Sequence, residues 1–427
     1  MVDEARRAAA DRASRLVMLA LFVTAMLAAG QDLKQQAKAA YEQMLYPKAQ
    51  ALARQATEAN PDDAEAWFLL GWYTHYRSYD SRPLSGFTRA TSDSILRFLG
   101  RAVQLDSTLG DAYYFIGAEY GCRFREALCR GDVKQAKADL RAGRARGGYP
   151  DWALEYCRNM LRLCAKDAIL IVDGDIVVNG VSYLQLVERY RPDVTVMYML
   201  SVPSYALLFK TGIPGAVVPA PISLSREQIL GRQTFPWATD TVRVRVKAAA
   251  LEELGLSSPD TVFEWEVATD SSSPWIGMHT ALLLDMVETN RWRRPMCFAS
   301  GYRTPADIDS CLQDCGLVRR LLPVRVADCG IGLDTLTMQR VFLGSSSYGS
   351  IADHKQHPMP RASGILYNYF NCLLTLATHY NRTGNTSDYD AVVERMAALG
   401  PPFYESVIPN YQARIDWLRQ GMPPAEQ

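Results

Sequence analysis

The residues best placed to do chemistry are Asp173, Gly174 and Asp175, which interrupt the chain directly after an apolar, β-branched run at residues 168–172. Two carboxylates two positions apart, separated by a glycine that lets the backbone turn tightly, suit a cation or the hydroxyls of a sugar. Asn179 adds an amide to the same stretch. Residues 173–180 are therefore expected to form a loop and, if the protein takes a small ligand, to be its site. The competing expectation is local, since Asp in such a turn also caps the next segment and satisfies backbone amides.

A second candidate is the run Asn290-Arg291-Trp292-Arg293-Arg294. Arg291 and Arg293 flanking Trp292 could hold an anionic or glycosyl ligand, with a structural role ahead of the next buried strand as the alternative. Other chemistry finds less support. No GxGxxG follows the first strand, and neither GxxxxGK[ST] nor GxSxG occurs. His279 opens a helix after Pro274-Trp275 and reads as a capping or surface residue. His354 and His357 with Asp353 crowd three ligands into one short loop without a fourth, so no metal is assigned. Glycoside chemistry needs two carboxylates flanking the scissile bond, so Asp173 would need a second acid such as Glu266 or Asp270 from another segment. No residue is given a catalytic role and no cofactor is assigned.

These side chains need elements to hold them. The apolar run 168–172, a helix at 183–190 and a second apolar run at 194–200 follow in the order strand, loop, helix, strand. Continuous apolar strands joined by a helical crossover predict a mainly parallel, Rossmann-like sheet buried on both faces. In such sheets ligands sit at the carboxyl ends of the strands, where Asp173 falls. Further strands are predicted at 215–221, 242–246, 261–268, 295–299 and 321–326. Helices are predicted at 278–290 and 307–319, and Ser225 with Gln228 has the form of a capping box. The fold class is α/β, with this domain spanning 166–328. Residues 329–427 read as a helical C-terminal region, with helices at 365–381, 389–399 and 406–419.

Residues 31–165 are helical and weakly repetitive. The segment NPDDAEAWFLLG (60–71) recurs as DSTLGDAYYFIG (106–117), aligning Trp67 with Tyr113, Leu70 with Ile116 and Gly71 with Gly117. An aromatic followed by Leu-Gly resembles the first helix of a tetratricopeptide repeat. The copies lie 46 residues apart, beyond the usual spacing of about 34, and a Ser, Arg, Gly and Pro-rich insertion at 78–91 accounts for the excess. Such repeats build a concave groove for a protein or peptide partner, or simply a packing module. Trp67, Trp72, Tyr73 and Tyr76 suit either a groove or a core.

Residues 1–30 place Arg6, Arg7, Arg12 and Arg15 before an apolar run that ends in Ala28-Ala29-Gly30. This is the pattern of a secretory signal peptide, with an N-terminal membrane anchor as the alternative. The expected location is the periplasm or the extracellular space, with no membrane span after signal removal. Lys plus Arg and Asp plus Glu both number 46, and this balance speaks against a nucleic-acid partner. The nine cysteines are spaced unhelpfully for a disulfide framework. They read as small buried hydrophobes or as one or two long-range pairs, and no CxxC supports zinc.

Several segments, in order, resemble the soluble C-terminal region of bacterial protein O-mannosyltransferase-like membrane proteins. They are YCRNMLRLCAKDAILIVDGD (156–175), SYLQLVERYRPDVTVMYMLSVPSY (182–205), VPAPISLS (218–225), NRWRRPMCFAS (290–300) and LQDCGLVRRLLPVR (312–325). The similarity spans about residues 151–399. It implies a link to glycan or glycoprotein assembly. The family's membrane half, to which sugar transfer is ascribed, has no counterpart here, and tetratricopeptide-like helices stand in its place. The family follows its first strand with Asn-Gly-Asp-Asn-Asp-Thr-Phe-Pro, where this chain has Asp173-Gly174-Asp175-Ile176-Val177-Val178-Asn179-Gly180. The expected role is an exported binding or scaffold protein of the cell envelope with a glycan as its small ligand. The alternatives are a soluble sugar-binding or glycosyl-transferring or hydrolysing enzyme using Asp173 and Asp175, and a structural domain with a decayed site.

Overall fold

The computed structural model describes residues 15, 18, 31–78, 86–237, 240–252, 261–267, 274–304, 308–344, 348–350, 358–399 and 410–421. All but two residues of the expected signal segment, part of the insertion at 78–91, Asp270 and the Asp353, His354 and His357 group lie outside them. Among the described residues no helix is long and apolar enough to cross a membrane. The chain divides into two compact units, Met1–Glu119 and Tyr120–Gln427.

The first unit is helical: α1 (31–42), α2 (Tyr46–Ala59), α3 (Ala64–Ser78), α4 (Arg89–Leu105) and the first half of α5 (Gly110–Cys129). The turn into α3 is set by Asp63, whose carboxylate accepts the Ala66 N–H at 3.0 Å, and by the Trp67 indole donating to the Pro61 carbonyl. Lys34 of α1 is buried and reaches Asp63 and Glu65 at 2.7 Å each. The Leu70-Gly71 pair marks the closest approach of α3 to α4, for a β-carbon on Gly71 would lie 2.7 Å from a Leu99 methyl. Trp72 and Tyr73 pack against Tyr41, with ring centroids 4.6 and 4.9 Å away. Tyr76 joins the same cluster, while Trp67 leans on Phe98.

In the second unit α5 is followed by α6 (Val133–Ala145), α7 (Asp151–Leu163), β1 (Ile169–Ile171), α8 (Asp175–Leu186), β2 (Thr195–Met197) and α9 (Pro203–Thr211). Next come α10 (Arg226–Gly231), β3 (Thr234–Pro236), β4 (Asp240–Val246), α11 (Ala248–Glu252), β5 (Thr261–Val267) and β6 (Trp275–Gly277). The sheet is completed after α12 (Met278–Asn290) by β7 (Met296–Ala299), β8 (Leu312–Asp314) and β9 (Val318–Leu321). Helices α13 (Val326–Cys329), α14 (Thr335–Phe342), α15 (Pro360–Ser363), α16 (Tyr367–Thr383), α17 (Thr386–Leu399) and α18 (Tyr411–Arg419) close the chain.

The main sheet runs β2-β1-β7-β9-β8. It is mixed rather than mainly parallel: β1 pairs in parallel with β2 and β7, whereas β9 lies antiparallel to both β7 and β8. The cause lies at 307–319, predicted helical. Only Ile308–Cys311 is helical, a single 3-10 turn, and the rest is a hairpin. Asp314 accepts the Gly316 N–H at 2.7 Å, and Gly316 takes φ +96° where a β-carbon would strike the Phe342 ring. Its return strand is β9, so the strand expected at 321–326 ends at Leu321, ahead of Pro323. The strand expected at 215–221 is a single bridge between Ile213 and Val217, because Pro219 and Pro221 cannot donate to a ladder. The capping box of Ser225 and Gln228 forms as expected. None of the nine cysteines forms a disulfide, and seven of them are buried.

Helix α7 is buried along most of its length and lies against α8 and α14. Asn159 and Tyr156 hydrogen bond to Tyr369 and Asn368, which fastens the α16–α17 hairpin to the unit. At the contact of α7 with α8, a β-carbon on Gly180 would lie 2.6 Å from the Cys157 sulfur. Gly180→Ala is expected to destabilise the unit by about 1–3 kcal/mol in urea unfolding, and Cys157→Ala in the same chain to restore most of the loss. Equal midpoints for the parent and Gly180→Ala would refute this packing.

The C-terminal carbonyls of α7 are met by Arg191, which donates to Leu161, Cys164 and Ala165 while forking onto Asp193 at 2.7–2.8 Å. That bond to Arg191 pulls the Asp193 carboxyl down to about 2. A carboxyl held below its unfolded value stabilises fully above about pH 4, and the contribution fades as the pH falls towards 2. Asp193→Asn should therefore lower stability at pH 7 and flatten the acid limb below pH 4, read from unfolding midpoints across that window. A parallel offset at every pH would contradict it.

Candidate functional site

The carboxyl end of β1 is fixed by parallel pairing. Ile171 lies opposite both Met197 and Phe298, so β1, β2 and β7 finish at one edge of the sheet. Helix α12 precedes β7, and its first turn sits at this same edge because a helix feeding a parallel strand runs back along the sheet. Two side chains from different segments meet there, His279 in the first turn of α12 and Tyr302 just beyond β7, and Asp173 just beyond β1 stands at the same edge within electrostatic reach of both.

Asp173 is exposed and its Oδ1 accepts the Gly174 N–H at 2.8 Å. Gly174 caps α8 at φ +82°, a conformation that residues with a β-carbon resist, so strand becomes helix within one residue. The stretch 173–180 is thus not a loop, and the helix predicted from residue 183 begins at Asp175. The run Ile176-Val177-Val178 reads poorly as helix, yet all three side chains are buried, and burial outweighs their propensity.

His279 Nε2 and the Tyr302 hydroxyl share a short hydrogen bond, with the rings 5.8 Å apart and nearly perpendicular. Tyr302 is anchored by its N–H to the Ala299 carbonyl and by Arg319, which donates to its carbonyl at 2.7 Å. Burial lowers the His279 imidazole below its ordinary value, opposed by the Asp173 carboxylate. Burial also raises the Tyr302 phenol, and Asp173 raises it further. At neutral pH a neutral imidazole and an intact phenol therefore lie together, with the exposed Asp173 side chain within electrostatic reach. Such a set of donors and acceptors can bind vicinal hydroxyls or pass a proton.

Asp175 and Asn179 serve a different partner. They lie one helical turn apart on α8 and face Arg125 of α5, which is fully buried. Arg125 donates to Asn179 Oδ1 at 3.0 Å, reaches Asp175 Oδ1 at 3.7 Å and the Cys122 sulfur at 3.6 Å. Gly121 leaves room for this, since a β-carbon there would lie 2.5 Å from Asn179 Oδ1. Of the four residues predicted on this stretch, Asp173 and Gly174 lie at the carboxyl end of β1, while Asp175 and Asn179 hold a buried cation.

Arg291, Trp292 and Arg293 stand at the other end of α12, about 18 Å from its first turn at 1.5 Å per residue. Arg291 and Trp292 take left-handed conformations that end the helix. Arg291 donates to the Glu288 carbonyl, and Arg293 to those of Thr289 and Asn290, answering the orphan acceptors of the last turn. Trp292 meets Phe263 of β5 edge to face at 5.0 Å. Arg291 and Arg293 also line a cavity of about 550 Å³ with Arg245, Lys247, Ser223, Thr289 and Glu288, four cations against one carboxylate. The structure does not bring this group together with Asp173. Glu266 is exposed on the two-stranded ribbon of β4 and β5.

His279, expected to cap or to face solvent, is half-buried against Tyr302, and Tyr302 carried no expectation. Its signal was its position: it lies shortly after the strand predicted at 295–299, as Asp173 lies directly after the run at 168–172. No protein-family model, curated protein or solved structure matches the chain.

Proposed function

We propose that this is a binding protein of the bacterial cell envelope that takes a polyhydroxylated, glycan-type ligand in the crevice between Asp173, His279 and Tyr302. The observation that carries the reading is the His279–Tyr302 contact at the carboxyl ends of parallel strands, at the same edge as Asp173 and within its electrostatic reach. A Rossmann-like origin of the sheet is supported by the parallel β1–α8–β2 unit. A tetratricopeptide-like origin of the first unit is supported by the Gly71 contact with Leu99, and there a protein or peptide partner would bind. Export rests on residues 1–30, and the glycan class on the ordered segments shared with the O-mannosyltransferase-like region.

One observation favours a catalytic variant, a sugar-transferring or hydrolysing enzyme: the His279–Tyr302 hydrogen bond is a ready proton path. Against it, Asp175 is turned to Arg125, so Asp173 and Asp175 do not flank one bond. The test is a thermal-shift screen of the full chain against neutral oligosaccharides and nucleotide sugars, repeated on Asp173→Asn. A ligand that raises the melting temperature of the parent and not of the variant is the expected outcome. Equal shifts in both would sink the reading.

A further inference from the structure

We propose that a second cavity, at the outer edge of the main sheet, binds a single-chain amphiphile with an acidic head group. Strand β2 is an edge strand. The Thr195 N–H bonds to the Ala168 carbonyl, and the Met197 carbonyl accepts the Val172 N–H, both at 2.9 Å. By the alternation of a parallel ladder, Val196 between them turns its N–H and C=O away from β1, towards the open edge. Beside that edge lies a cavity of about 470 Å³, in the range of small-molecule sites.

Its walls are mainly apolar, with Leu186, Val194, Val196, Tyr198, Phe209 and Val217 lining it beside the hydroxyl residues Ser182 and Thr211. Gln185 also lines it, but its amide is engaged by the Arg191 and Val194 carbonyls at 2.9 and 2.7 Å. The single charged residue on the lining is Arg189. It is exposed and makes no hydrogen bond or ion pair among the described residues. An apolar pocket with one uncommitted cation selects a molecule with an apolar tail and an anionic head, a carboxylate or a phosphate. The backbone pair of Val196 can hold a polar atom of the ligand. A three-residue edge offers an added peptide strand too little to pair with, which leaves the small amphiphile as the occupant.

The test uses the full chain and a fluorescent carboxylate, dansyl-undecanoic acid, displaced below their micellar concentrations by dodecanoate, dodecyl phosphate and dodecyltrimethylammonium. Both acids are expected to displace the probe and the cation is not, and the ratio of the two acids identifies the preferred head. Arg189→Gln should weaken the acids by about three- to tenfold and abolish the preference over the cation. Ala216→Trp, on the exposed turn that lines the cavity, should weaken all ligands by more than about tenfold while leaving the unfolding midpoint in place. Asp173→Asn should leave probe affinity unchanged, which separates this site from the crevice. No probe binding, equal displacement by the cation, or affinities untouched by Arg189→Gln and Ala216→Trp would overturn the proposal.

Discussion

Arg125→Ala is expected to lower the stability of the sheet-bearing unit by about 3–5 kcal/mol, the usual loss when one partner of a buried ionic group is removed. The guanidinium is fully buried and ties α5 to α8 through Asn179 and Asp175. Alanine withdraws the donor from Asn179 and the cation from Asp175 and leaves a void between two helices. Urea unfolding followed by tryptophan fluorescence reads the loss directly. A double-mutant cycle with Asn179→Leu separates the hydrogen bond from the cavity, and a coupling above about 0.5 kcal/mol is expected between residues in contact. An Arg125→Ala midpoint equal to the parent would show that this arginine does not join the helices.

Asp173→Asn is expected to weaken glycan binding by about 10- to 100-fold, the worth of one charge-assisted hydrogen bond at 1.5–3 kcal/mol. His279 adds a pH dependence whose sign is fixed by its environment. Burial holds the folded imidazole below its ordinary value, so between that lowered value and about pH 6.5 the unfolded chain binds the extra proton. Stability from this residue is complete above about pH 6.5 and declines as the pH falls from there. Binding that needs a neutral imidazole weakens further down, as the folded histidine itself takes up its proton. His279→Gln should remove that part of both declines, measured by unfolding and by titration calorimetry between pH 5 and 8. Profiles that fall in parallel for parent and variant would assign the dependence to other groups.

Much of the second unit's frame was legible in the sequence because it is written in local signals. The apolar run at 168–172 became the buried strand β1 between β2 and β7, and Ser225 with Gln228 made the capping box. Gly384 closes α16 in the left-handed conformation, in the gap between the helices predicted at 365–381 and 389–399. What failed were places where distant residues overrule local pattern. Ile176, Val177 and Val178 look like extended chain, yet lie in a helix because burial rewards them there. Residues 307–319 have helical spacing, yet Gly316 needs a positive φ beneath Phe342 and forces a hairpin, which turns the sheet from parallel to mixed.

The site divided along the same line. Asp173 and Gly174 could be placed at a strand end from sequence alone, because β1 is a strong apolar run followed by a turn residue. Arg125, 50 residues before Asp175, gave no local sign that it would claim Asp175 and Asn179. His279 and Tyr302 become partners only once β7 pairs with β1, and nothing near either residue records that pairing. The tryptophan between Arg291 and Arg293 invited a ligand, yet the two arginines answer the carbonyls of the helix they end.

The most direct test of the crevice is a ¹⁵N-imidazole NMR titration of the histidine-labelled full chain with the oligosaccharide that gives the largest thermal shift. Of the five histidines, His75, His279 and His379 are among the described residues, and of these three only His279 lies at the proposed site. The expected result is a saturable shift of the His279 resonances at the calorimetric affinity, with His75 and His379 unmoved and the response lost in Asp173→Asn. A ligand that saturates the protein while the His279 resonances stay in place would contradict the account.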